Sequence, residues 1–450
     1  FSEVGVKAVD DHTLTYTLET EVPYFISSLA YIVYMPAYGP QLEELGKEFA
    51  TGADKMYYNG SYYMSEFSPQ ERRVYKKNTL NYDADIVYID EIQKIYNAEA
   101  FTIGPEMVKR GEIDHVEITA DILDDWLSHE DTKNLISRER PRNSYSYFYC
   151  FNFDPQFDAE YEPDNWRKAV NNENFRKALS SALNKTKEVA VLEPNVPEDY
   201  VINTITPAKF TFNADGTDFT EIGDMAGDTF NEAKAVEYRD LAKSELAAEG
   251  VTFPVKVLLP YNPTEVNWDK ECQVVEQQME SLLGTDFIDI IVQTGPTDGF
   301  LTEIRRNGKY AMLKCNWGAD YADPETWTDP FYQAKGESGY DLGYKYANLA
   351  KAIEDGTPSA DAVLEYFTTI EEAKDIKVDI NARYEAFAKA EATLINHALV
   401  VPFSISVSKY LATKLNVFEG QYAPFGVSNL KYKGQHLQDH YISMEEFEAN

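Results

Sequence analysis

Residues 255–316, VKVLLPYNPTEVNWDKECQVVEQQMESLLGTDFIDIIVQTGPTDGFLTEIRRNGKYAMLKCN, alternate between two hydrophobic periods. Val255 to Leu259 reads as a strand, Val266 to Leu283 as a helix stopped by Gly284, and Ile288 to Val292 as a second strand. Gly299 to Arg306 then reads as a short helix ended by Gly308, and Ala311 to Cys315 as a third strand. A longer helix, Asn231 to Glu249, precedes them and ends at Gly250, the residue type that turns left-handed after a helix at least steric cost. Strands alternating with helices imply right-handed crossovers and a largely parallel sheet, so the fold class is α/β.

Working outward, Tyr145 to Phe153 is strand-like and dense in aromatics. From Asn174 to Leu192 the spacing turns helical, with Phe175, Ala178, Leu179, Ala182 and Leu183 on one face. Further upstream, Ala98 to Arg110 reads as a helix stopped by Gly111, and Glu112 to Val116 as a short strand. Tyr58 to Met64 and Arg73 to Asn78 are strands beside Asn-Gly and Ser-Pro turn signals. The opening run Gly5 to Leu18 reads as a hairpin around Asp10-Asp11-His12. A hairpin alone is marginal, so its companion strands are expected upstream of Phe1.

The 450 residues carry 41 basic and 76 acidic side chains, a net charge of −35. That surplus repels phosphate backbones and anionic membranes, and it excludes a nucleic-acid role. With 44% hydrophobic residues, including 32 Tyr, 24 Phe and 5 Trp, the chain has core enough for two large lobes or three domains. Its three cysteines, Cys150, Cys272 and Cys315, make neither a disulfide framework nor a metal pair. The longest apolar stretch, Tyr24 to Tyr38, is interrupted by a proline and too short to span a bilayer.

Catalytic templates fail. GxSxG, HExxH, GxxxxGK[ST] and GxGxxG are all absent from the sequence, and the six histidines are isolated. Asp320, Asp323 and Glu325 lack the spacing of a calcium loop, so neither metal nor cofactor is expected. An acidic pair such as Asp124 and Asp125 leaves a hydrolase as the alternative of another class.

In open α/β sheets ligands collect beyond the carboxyl ends of the strands. The segment leaving the third strand is Asn316-Trp317-Gly318-Ala319-Asp320-Tyr321-Ala322-Asp323-Pro324. It offers an aromatic face, a glycine that admits a ligand to the backbone, and a carboxylate. Such parts suit an extended ligand with a cationic end, its amides met by backbone and its ammonium by Asp320. The competing reading makes Trp317 core and Asp320 a turn cap. Just upstream, Arg305 and Lys314 are candidates for an anionic end of the same ligand, against the alternative that they pair with surplus carboxylates.

Six stretches in order carry a resemblance to a known family. They are Gly5-Val6-Lys7-Ala8-Val9-Asp10 with Val22-Pro23-Tyr24-Phe25, Asn59-Gly60-Ser61-Tyr62, Gly111-Glu112-Ile113-Asp114, Phe175-Arg176-Lys177-Ala178-Leu179, Trp317 to Pro324, and Tyr384 to Pro402. Together they are similar to the GVKAxD…PVPYF, NGAY, GEID, VRxAL, WxADYxDP and YxKAExxLxxDAPVVP motifs of the oligopeptide- and dipeptide-binding proteins of peptide ABC importers, the family 5 extracellular solute-binding proteins. The resemblance implies a two-lobed periplasmic-binding-protein-like fold, type II of the large cluster C kind, whose interlobe cleft closes on an extended peptide about a hinge. It implies that Asp320 holds the peptide's α-amino group and that Asn316, Trp317, Gly318 and Tyr321 line the cleft. Arg305 and Lys314 align with basic positions near the carboxylate end.

The same resemblance implies no enzyme, a monomer, short peptides as ligands and the permease subunits of an ABC transporter as partners. It also implies a place on the extracellular face of the membrane as a lipoprotein, or in the periplasm, with the lipid anchor outside this chain. Residues 1–23 are then expected to be a remnant of an N-terminal subdomain, 24–146 lobe I, 147–410 lobe II, and 411–450 a return to lobe I. Asn267 stands where some relatives carry a carboxylate-binding histidine, and Phe403-Ser404-Ile405-Ser406 replaces a tyrosine-rich strand. The fold is shared across ligands, so a receptor for an oligosaccharide or another solute is the alternative within this class.

Overall fold

The computed structural model describes residues 4–140, 145–225, 227–422 and 430–450. The chain divides into two units, one of Phe1–Leu29, Asn143–Glu188 and Val201–Ile405, the other of Ala30–Arg142, Val189–Tyr200 and Ser406–Asn450. Residues 24–29, assigned from sequence to the smaller unit, cluster with the larger. Val189–Tyr200 and 406–410, assigned to the larger, cluster with the smaller.

The larger unit begins with strands β1 (Val6–Ala8) and β2 (Leu14–Tyr16), an antiparallel hairpin. Asp10 closes its turn, accepting from His12 N at 2.8 Å and Thr13 Oγ1 at 2.9 Å. Strand β3 (Tyr145–Phe151) runs through the core, with Phe148, Tyr149 and Cys150 wholly buried. Helix α1 (Glu173–Ala182) follows, capped by the Asn172 side chain on Phe175 N. It buries Phe175, Ala178 and Leu179 and packs on α2 (Glu232–Ala248). The single helix expected over 174–192 is broken after Ala182 and resumes only at Lys185–Val189.

Strand β4 (Val255–Tyr261), helix α3 (Trp268–Leu283) and strand β5 (Ile288–Thr294) form the anticipated unit, β4 and β5 parallel from Val255↔Ile288 onward. The third strand, β6 (Met312–Gly318), does not extend that parallel sheet. It lies antiparallel to β3, and the three-stranded order is β6-β3-β7, where β7 is Val400–Ile405. Ala311 N, bonded to Leu258 O at 2.9 Å, ties the start of β6 back to β4. The reason is physical: β3 offers β6 a full seven-residue register, Met312↔Phe151 to Gly318↔Tyr145, that satisfies its backbone groups. Helices α4 (Ala360–Asp375) and α5 (Ile380–Asn396) pair off beside it and lead into β7. Buried Arg176 on α1 binds the chain end of α5, donating to His397 O at 2.9 Å and Ala398 O at 3.1 Å, which supplies partners for otherwise orphaned carbonyls.

The smaller unit holds an antiparallel sheet of Tyr62–Ser68, Arg72–Lys77 and Glu91–Ile95. A second sheet places Tyr410–Thr413 between His115–Ile118 and Ser137–Arg138. Val108, Ile118, Leu123, Trp126, Ile136, Tyr410 and Ala412 form its core. The helix at Ala100–Lys109 ends as the Gly111 signal requires, at a glycine with φ of 69°. Among the described residues no helix is long and apolar enough to cross a membrane.

Candidate functional site

Strand β6 alternates its side chains, so Lys314, Asn316 and Gly318 share one face and Leu313, Cys315 and Trp317 the other. This alternation sorts the candidate residues. Gly318 opposes Tyr145, and a Cβ there would sit 2.7 Å from the Tyr145 ring. A side chain there would therefore require the Tyr145 ring to shift, a matter of close approach and not of backbone conformation.

Beyond Gly318 the chain leaves the strand as a loop tied down at nearly every residue. Asp320 N donates to Thr326 Oγ1 at 3.0 Å, and Ala322 N to Ser27 Oγ at 3.0 Å. The Tyr321 ring stacks on Tyr24 at 3.9 Å, and its hydroxyl donates to Asp329 at 2.8 Å. Burial and then the Asp329 charge push the Tyr321 phenol far above its ordinary value, so it remains a donor.

The anchor beneath the loop is Arg383 on α5. Its guanidinium grips Asp323 with Nε and Nη2, at 3.0 and 2.8 Å, and Glu325 with Nη2 at 2.5 Å. Nη1 donates to Ala373 O and Ile376 O, both at 3.1 Å. A buried guanidinium with this complement of acceptors is a paired charge in a fork geometry that fixes the carboxylate plane. Lys374 adds a bond to Asp329 at 2.8 Å. Burial and the neighbouring Asp329 raise the Glu325 carboxyl in spite of these cations.

On the Trp317 face lie Tyr344, 4.7 Å from the Trp317 ring centre, and Tyr346 at 6.0 Å. The Tyr344 phenol is raised by burial first and by the Asp320 charge second, which places that carboxylate within electrostatic reach of Tyr344. Tyr346 donates to the carbonyl of Asn316 at 3.2 Å. Arg305, in the single helical turn Leu301–Arg306, belongs to this side too. Its guanidinium lies 3.9 Å over the Tyr346 ring and donates to Tyr344 O at 3.2 Å.

Lys314 points the other way. Its ammonium meets Glu271 of α3 at 2.6 Å, with only 9% and 2% of the two side chains exposed. The Trp268 and Phe403 rings stand 5.2 and 5.8 Å from it. Tyr149, its partner across the sheet, donates to Glu188 at 2.5 Å. Burial opposes the Lys314 charge, but Glu271 and Glu188 outweigh it and hold the ammonium above its ordinary value. Burial pushes the Glu188 carboxyl up to about 8, against the pull of the Lys314 charge.

The structure thus brings Asn316, Trp317, Gly318, Asp320 and Tyr321 together on one strand end and its loop. It does not bring Arg305 and Lys314 together, since they occupy opposite faces of the sheet. Sequence reasoning did not find Arg383, Tyr24, Ser27 or Thr326. Tyr24 and Arg383 do stand within or beside stretches already matched by motif, Val22 to Phe25 and Tyr384 to Pro402. The arrangement can present main-chain groups and one carboxylate in fixed geometry. The Cys150 and Cys272 thiols are poor nucleophiles, because burial raises both above the ordinary thiol range.

Comparison with known proteins follows the same lines. Residues 1–339 match the family described as bacterial extracellular solute-binding proteins, family 5 Middle. The oligopeptide-binding protein SarA of Streptococcus gordonii is 27% identical over 487 residues, covering 100% of this chain and 72% of the relative. The substrate-binding domain of an oligopeptide ABC transporter from Bacillus anthracis superposes with a TM-score of 0.71 at 22% identity, over 97% of this chain and 76% of that one. OppA of Listeria monocytogenes, solved bound to peptide, gives a TM-score of 0.69 at 21% identity, over 96% and 75% of the two chains.

Proposed function

Because the chain belongs to the family 5 bacterial extracellular solute-binding proteins, we propose that it captures short peptides outside the cytoplasm and delivers them to an ABC permease for import. Its fold is that of the two-lobed periplasmic-type binding proteins. Relatives named for oligopeptide binding span the whole of this chain, and that coverage carries the ligand class. In this reading the β6 exit loop is the ligand platform. Main-chain groups of Asn316 to Gly318 bond the peptide backbone, which gives affinity without regard to side chains, and Asp320 takes the α-ammonium and fixes the register. Attachment through a lipid anchor lying outside this chain and action as a monomer complete the proposal.

What supports the role of Asp320 is its setting. Its own amide is fixed by Thr326, and its neighbours are fixed by Tyr24, Ser27 and Arg383. A carboxylate held by its backbone loses little entropy on binding an ammonium. Calorimetry with a pool of short peptides, set against a pool of oligosaccharides, tests the proposal. Peptides bind and sugars do not; Asp320→Ala and N-acetylation of the peptides each weaken binding by about tenfold or more. Equal affinity for acetylated and free peptides would remove Asp320 from the site.

A further inference from the structure

Two buried arginines of the larger unit use their guanidinium edges differently. Arg383 gives the edge formed by Nε and Nη2 to Asp323, at 3.0 and 2.8 Å, and Nη1 to backbone carbonyls. Arg305 likewise gives Nη1 to a backbone carbonyl, Tyr344 O at 3.2 Å, and lies flat on the Tyr346 ring at 3.9 Å. Its other edge is uncommitted. Nε is buried without an acceptor, and among the described residues Nη2 bonds none and no carboxylate pairs with the guanidinium.

That edge is the one a carboxylate grips with two parallel hydrogen bonds. Only 6% of Arg305 is exposed, so the ring and the carbonyl fix its plane and water screens its charge little. An orphaned donor on a charged group carries a desolvation penalty, which an arriving acceptor relieves.

The location ties this edge to the ammonium site. Tyr344 gives its carbonyl to Arg305, packs its half-exposed ring 4.7 Å from Trp317, and holds its phenol within electrostatic reach of Asp320. An extended ligand advances about 3.3 Å per residue, so one with its amino end on Asp320 brings its second or third residue to Arg305. In a longer peptide the carboxyl end lies beyond that place, and the group that reaches the edge is a side chain.

We propose that Arg305 is a specificity-determining residue that takes the side-chain carboxylate of Asp or Glu at the second or third residue of the bound peptide. This rests on the peptide reading above and deepens it: the favoured ligands are peptides that are acidic near a free amino end.

The test is calorimetry at neutral pH with two hexapeptide pools, amidated at the carboxyl end and free at the amino end. One carries Glu at the second and third positions, the other Gln, and the remaining positions are random. The Glu pool binds about tenfold more tightly, and in Arg305→Gln the two pools come within about twofold of each other. Glu and Gln pools within about twofold in the unaltered protein overturn the inference and leave the peptide reading standing, a comparison that needs no variant to fold. So does a Glu preference that survives Arg305→Gln. A Gln pool with a free carboxyl end that binds about tenfold more tightly than its amide, with the gain lost in Arg305→Gln, overturns the side-chain assignment in favour of the carboxyl end. No binding by any pool overturns the peptide reading and this inference with it.

Discussion

The two faces of strand β6 solve the burial of charge in opposite ways. Under the exit loop, one cation, Arg383, is shared between two carboxylates, Asp323 and Glu325, and its remaining donors go to backbone carbonyls. Around Lys314, one cation meets the Glu271 carboxylate at 2.6 Å, and burial raises both Glu271 and the neighbouring Glu188 above the ordinary carboxyl range. The first network ties together distant parts of the chain and positions a loop. The second ties α3 to β6 and positions nothing outside itself. Burial alone does not make a charge functional, and the useful distinction is whether its partners hold up a segment such as the exit loop, proposed above as the ligand platform.

The comparison breaks most readily at Arg383. Arg383→Met leaves Asp323 buried without its cation and Glu325 with Lys374 at 3.6 Å as its remaining one, and stability measured by urea unfolding should fall by about 4 kcal/mol. Peptide affinity should drop with it even where the protein remains folded, because the loop loses its anchor. Lys314→Met should lower stability by about 3 kcal/mol, since it leaves Glu271 buried without its cation. Changing the pair together, Lys314→Met with Glu271→Gln, should recover most of that loss, since removing a whole buried pair is close to neutral. Failure of the double change to recover stability would show that the pair contributes more than mutual neutralisation.

The proton on Glu188 supplies a sharper test. Its carboxyl moves from an ordinary 4.5 to about 8 in the fold, so between those values the native state holds a proton that the unfolded chain releases. Stability therefore falls as pH rises through this window, by up to about 1.4 kcal/mol per pH unit, and levels off above it. Glu188→Gln should flatten that slope in unfolding curves taken from pH 5 to 8. Smallest is Gly318→Ala: the added methyl presses on the half-exposed Tyr145 ring, which can turn aside, and the loss should be about 1 kcal/mol. A crystal structure of that variant should show Tyr145 moved and the loop in place.

How much of this was legible in the sequence depends on range. The β4-α3-β5 unit is local, its glycines at 250 and 284 mark helix ends, and the structure follows it closely. The partner of β6, β3, lies about 165 residues upstream, and β7, which pairs with β3 on its other edge, lies about 90 residues downstream; no local period announces antiparallel pairing over such spans, so the expected parallel sheet was too large. The same holds for the site. The Trp317 to Pro324 motif was visible, but the ion network beneath it joins residues 60 apart in sequence, Asp323 and Arg383. Counting residues along β6 by twos separates Lys314 from Trp317. It says nothing of Arg305, which reaches the Trp317 face from a helical turn.

The second sheet of the smaller unit has one more consequence. Its middle strand, Tyr410–Thr413, pairs with His115–Ile118 and Ser137–Arg138, which are made almost 300 residues earlier. During synthesis the two outer strands emerge first and wait, without the strand that joins them, until residues 410–413 have left the ribosome. The piece that completes this sheet is the last to arrive, so a ribosome that stops short of residue 410 releases a sheet with its centre missing.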